Sequence, residues 1–109
     1  MFRRSGRYAD LVRTQLDLFA EDEADLLAEA QSADEAWTRA GRDSAEELYG
    51  DYQLVVDAIG DGLLDIRETY AATLADDTVD EYRAAFTRGA TKRFPRYATV
   101  LADVEDDVT

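Results

Sequence analysis

The stretch from Ala45 to Leu74 sets the strongest limit on how this chain can fold. Its apolar and aromatic residues fall at Ala45, Leu48/Tyr49, Tyr52, Val55/Val56, Ile59, Leu63, Ile66, Tyr70 and Leu74, in steps of three or four. That is the period of one face of an α-helix, held over roughly eight turns, with none of the alternation a strand would need. Ser44, followed by Glu46 and Glu47, reads as an N-cap with acids in the first turn, where they meet the positive end of the helix dipole. Asp76-Asp77-Thr78 supplies the stop.

Gly60-Asp61-Gly62 is the weak point of this helix, since each glycine costs about 1 kcal/mol against alanine in a helix interior. The stripe keeps its phase from Ile59 to Leu63. A turn would usually reset it, so the reading favoured is one continuous, at most kinked, helix whose glycines let another backbone come close. The alternative is a break joining two helices.

The flanking segments carry the same period. Tyr8, Leu11/Val12, Leu16, Phe19, Leu26/Leu27 and Ala30 predict a first helix from about Tyr8 to Ala30. Glu21-Asp22-Glu23-Ala24-Asp25 interrupts its stripe, and Asp34 to Asp43 reads as a connector of open conformation. Val79, Tyr82, Ala85/Phe86 and Gly89/Ala90 predict a third helix, capped by Asp77 or Thr78 and ended by Pro95, which pushes its predecessor out of helical geometry. Arg96 to Val104 predicts a short fourth helix, with Tyr97, Val100, Leu101 and Val104 on one face.

Amphipathic helices joined by short connections bury their stripes against one another. The expected fold is therefore all-α: one domain over residues 1–109, an antiparallel bundle of three long helices plus a short C-terminal helix. Residues 1–7 read as a basic, frayed start and residues 105–109 as an acidic, disordered tail. The central helix is long for 109 residues. Its far end is expected to stand beyond the cover of the other helices, with a second copy as its natural cover, which predicts a homodimer.

Composition narrows the chemistry more than it names it. There is no cysteine and no histidine, which removes thiolate chemistry, the commonest general base and the commonest transition-metal ligand. A net charge of −13, from 25 acids against 12 bases, repels nucleic acid and anionic membranes unless the bases cluster, so neither is an expected partner. Only Lys92 among the bases is lysine; with the many aspartates, this is compatible with a GC-rich or salt-adapted source. No apolar run approaches the length that crosses a bilayer, and no signal-peptide core is present, so a cytoplasmic protein is expected.

Two groups of residues could still carry chemistry. Asp57, Asp61 and Asp65 stand four apart, with Glu68 next along. Aligned carboxylates repel weakly, and an all-oxygen row suits a divalent metal such as magnesium, calcium or manganese. The plainer reading is a solvated face, or one met by Arg67 and other arginines. The second group is Arg88, Lys92, Arg93 and Arg96, in a segment without acids from Arg83 to Tyr97. With Phe94 and Tyr97 interleaved, it could hold a phosphate, a nucleic-acid strand or an acidic partner. The plainer reading there is pairing with the chain's own acids. No nucleophile constellation, phosphate loop or cofactor motif is present. The expected function is non-catalytic association, with itself or a protein partner. A carboxylate metal site and an anion site in the basic segment are the alternatives.

Overall fold

The computed structural model describes residues 6–102 and is all-α, with no strand among them. Four helices follow in order: α1 (Ala9–Asp22), α2 (Ala24–Arg39), α3 (Arg42–Ala71) and α4 (Asp76–Arg93). A fifth opens at residue 99. The basic start, except Gly6 and Arg7, and the acidic tail lie outside the described residues. Among those described, no helix is long and apolar enough to cross a membrane.

The central helix is continuous. α3 runs 30 residues through both glycines. A Cβ on Gly60 would lie 3.0 Å from Val100 Cγ1 and 3.1 Å from the Tyr97 carbonyl oxygen; one on Gly62 would lie 3.1 Å from the Phe19 ring. The glycines give up helix propensity so that the C-terminal segment and α1 can press against the α3 backbone.

Elsewhere several boundaries differ from the sequence reading. The first helix does not end at Ala30. It bends at Glu23 (φ −109°, ψ 28°) and continues as α2 to Arg39, taking up most of the supposed connector. The hydrogen-bond ladder survives the bend: the Glu23 N–H donates to the Phe19 carbonyl, and the Glu23 carbonyl accepts from Leu27. Acids at positions 21–23 and 25 leave little apolar hold there, and good helix formers carry α2 onward. The turn into α3 consists of Ala40 and Gly41, both extended, so Gly41 is the N-cap and Ser44 sits inside the first turn. Ala75 likewise caps α4, and the Thr78 hydroxyl donates back to its carbonyl at 3.0 Å. Pro95 ends α4 as expected. The next helix begins at residue 99 rather than Arg96, because residues 95–97 are spent on a turn.

The bent α1–α2 rod serves two partners. α2 lies along α3 and α1 along α4, while α4 returns beside α3. Val12, Leu16, Phe19, Ile59, Leu63, Tyr82, Phe86 and Leu101 form the core. Tyr82, fully buried, meets Tyr8 edge-on and Tyr70 at 4.8 Å, and its hydroxyl donates to Gln15 Oε1 at 3.0 Å. Full burial would cost the phenol its hydrogen bond to water, and Gln15 replaces it. Residues 94–102 fold over the middle of α2 and α3, where Ala98 and Leu101 are buried. Among the described residues, α2 runs beside the first turns of α3, and the two form an arm on a molecule 52 Å long.

Candidate functional site

The two residue groups singled out in the sequence have different surroundings. Asp57, Asp61 and Asp65 lie exposed along α3, and Asp57 accepts a hydrogen bond from Gln53 at 3.1 Å. Glu68 is set apart from them. It receives Arg83 through Nε at 3.0 Å and Nη2 at 2.6 Å, and Arg67 Nε at 2.8 Å. The Arg83 bond is the main reason its carboxyl is held below the usual 4.5, with Arg67 adding to it and burial opposing. Glu68 thus spends both oxygens on arginines. Glu23, at the bend, shares a groove between α1 and α3 with Asp22 and Asp65. Among the described residues no three Asp or Glu side chains converge to hold a metal ion.

Arg67 itself is buried, only 1% exposed. In the sequence it stands as an exposed partner for the acidic row, and the structure buries it instead. Its Nη1 donates to Thr87 Oγ1 at 2.8 Å and to the Leu101 carbonyl at 3.4 Å, tying α3 to α4 and to the C-terminal segment. The available signal was its place in the row Leu63, Arg67, Ala71, whose neighbours four residues away on either side are both buried.

The basic group divides. Arg96 pairs with Asp34 of α2 at 2.6 Å, an attraction that raises its already high pKa. Arg93 pairs with Asp17 of α1 and lies over the Phe94 ring. Arg88 and Lys92 are exposed, and neither has a partner among the described residues. With Arg93 they line one side of a groove between α4 and α1, and Arg13 lines the other. Arg13 was not foreseen, because only the packing of α1 on α4 brings it there.

A third group forms at the arm. Trp37 of α2 stacks on Tyr52 of α3, with planes 7° apart and centroids at 6.1 Å, and meets Tyr49 at 5.0 Å. Tyr49 is 45% exposed, and Leu54, on the outer face of α3, is 70% exposed. Arg39 and Arg42 stand exposed at the turn that ends the arm.

Fold and surface together define an all-α protein with a bent-rod bundle, an aromatic arm and a basic groove. Comparison with protein-family models, curated proteins and solved structures finds no match to this chain.

Proposed function

We propose that the protein works by association, without catalysis, and that the α2/α3 arm is its contact surface, with a second copy of the chain as partner. The observation that carries this reading is the Trp37–Tyr49–Tyr52 cluster, which is partly open to solvent near the turn between α2 and α3. Tryptophan, tyrosine and arginine are the residues that most often dominate binding energy at protein interfaces. Here two tyrosines and a tryptophan lie near Arg39 and Arg42. A sequence without histidine or cysteine supports the non-catalytic part. The same proposal takes the protein to be cytoplasmic, an expectation resting on the sequence alone.

Trp37 is the sole tryptophan, so its emission reports on the arm directly. Sedimentation equilibrium across a dilution series is expected to give a dimer–monomer transition, with a parallel shift in tryptophan emission. Tyr49→Ser is expected to weaken the dimer by tenfold or more, on the order of 1.4 kcal/mol. A monomer at every concentration, with invariant emission, refutes self-association through the arm.

A further inference from the structure

We infer that the groove between α1 and α4 is a binding site for a phosphate monoester with an apolar body. The groove is open to solvent and has a volume of about 660 Å³. Ala9, Val12, Leu16, Ala85 and Gly89 give it an apolar lining, and four cations, Arg13, Arg88, Lys92 and Arg93, stand around it. An apolar lining with a few convergent polar groups is the usual make-up of a small-molecule site.

The charge of the ligand follows from the pairing of these cations. Arg13 is engaged by Asp10 at 2.9 Å, and Arg93 by Asp17. Arg88 and Lys92 have no partner among the described residues. They stand four residues apart on α4, so their side chains are neighbours on one helix face. Two adjacent unpaired cations match a group of about −1.5 to −2 charge, which is what a phosphate monoester carries at neutral pH. A carboxylate would neutralise only one of them.

The negative body of the protein does not cancel this match. From Arg83 to Tyr97 the chain contains no acid. The acids that α1 contributes beside the groove, Asp10 and Asp17, are already paired. Exposed charges farther than about 8 Å are largely screened at physiological ionic strength. The apolar lining selects for an organic body on the phosphate, since inorganic phosphate leaves that surface uncovered.

The test is calorimetric titration of the full chain with n-hexyl phosphate and, separately, with inorganic phosphate. Hexyl phosphate is expected to bind one per chain, at least about tenfold tighter than inorganic phosphate, the gain from burying two methylene groups. Arg88→Gln with Lys92→Gln is expected to weaken hexyl phosphate binding at least about tenfold. Gln31→Glu with Ser32→Glu makes the same change in net charge on α2, away from the groove, and is expected to leave binding unchanged; all four positions are exposed, so both variants keep the fold. Absence of saturable binding overturns the inference, as does equal affinity for the two phosphates or equal loss in the two double variants. Binding that appears only after Asp103, Glu105, Asp106 and Asp107 are all changed to amides would assign the groove to the chain's own acidic tail and likewise overturn it.

Discussion

Replacing Arg67 with methionine removes the one charged side chain that is buried among the described residues, and its partners set the cost. The guanidinium donates to Glu68 and Thr87, both at 2.8 Å, and to the Leu101 carbonyl at 3.4 Å. A hydrogen bond to a charged group contributes about 1.5–3 kcal/mol net, and the long bond to Leu101 belongs at the low end. Losing the donor to the Leu101 carbonyl costs about 1–3 kcal/mol. Against this stands the desolvation of the guanidinium, several kcal/mol, which methionine escapes while filling much of the same space. Glu68 is not stranded, because Arg83 still holds both its oxygens. The expected loss is therefore about 2–3 kcal/mol, below the roughly 3–5 seen when a buried charge is left unpaired. Arg67→Ala adds a cavity and is expected to cost about 4–5 kcal/mol.

A chain of this size has on the order of 5–15 kcal/mol in total, so Arg67→Met should lower the midpoint by about 8–12 °C. Urea unfolding followed by far-ultraviolet circular dichroism measures the loss. Amide exchange locates it: protection at Ala98 and Leu101 should fall more than protection at Tyr82 or Phe86, because the tether to the Leu101 carbonyl is cut. A variant within about 0.5 kcal/mol of the parent, or more stable, would refute the reasoning, by showing that the guanidinium costs as much to bury as its bonds return.

Two glycines in helix interiors should respond in opposite directions. Gly50 is exposed, with nothing within 4 Å of a Cβ, so Gly50→Ala is expected to stabilise by about 1 kcal/mol in urea unfolding. A Cβ on Gly89 would lie 2.8 Å from Val12 Cγ1, a buried methyl that cannot retreat, so Gly89→Ala is expected to destabilise by about 1–3 kcal/mol by the same measurement. Burial pushes the Tyr82 hydroxyl up to about 12. Its folded value lies above the unfolded 10, so its stabilising share is whole below pH 10 and is lost as pH climbs towards 12. Thermal midpoints should therefore fall across that window, and Tyr82→Phe should flatten the fall; an unchanged slope in the variant counts against it.

The helical period carried most of the fold. Even the continuity of α3 through Gly60 was legible, because Ile59 and Leu63 stay on one face and a turn would have moved them apart. What was not legible lay where local signals compete. Ser44 is a good cap in isolation, yet two extended residues at 40 and 41 make the whole turn and start the helix earlier. The acids around Glu23 marked the bend, but not whether the chain would stop there, since an intact hydrogen-bond ladder leaves no trace in composition. The candidate sites were half visible for a similar reason. Sequence brings Arg88 and Lys92 together on one turn. It cannot pair Arg93 with Asp17 or Arg96 with Asp34, residues 76 and 62 positions away, nor bring Arg13 to the same groove.

Because the rod bends at Glu23, the two ends of the molecule answer to separate rules of length. α1 and α4 are fixed by the core they enclose with the second half of α3. The arm is bounded only by where α2 turns into α3, at two extended residues. Seven residues inserted in α2 just before Trp37 and seven matching ones in α3 just after Tyr52 would move the aromatic tip outward by about 10 Å, at 1.5 Å per residue, in nearly the same rotational phase. The groove would be untouched. The reach of the protein is thus a quantity that paired insertions can tune without redesign of its core.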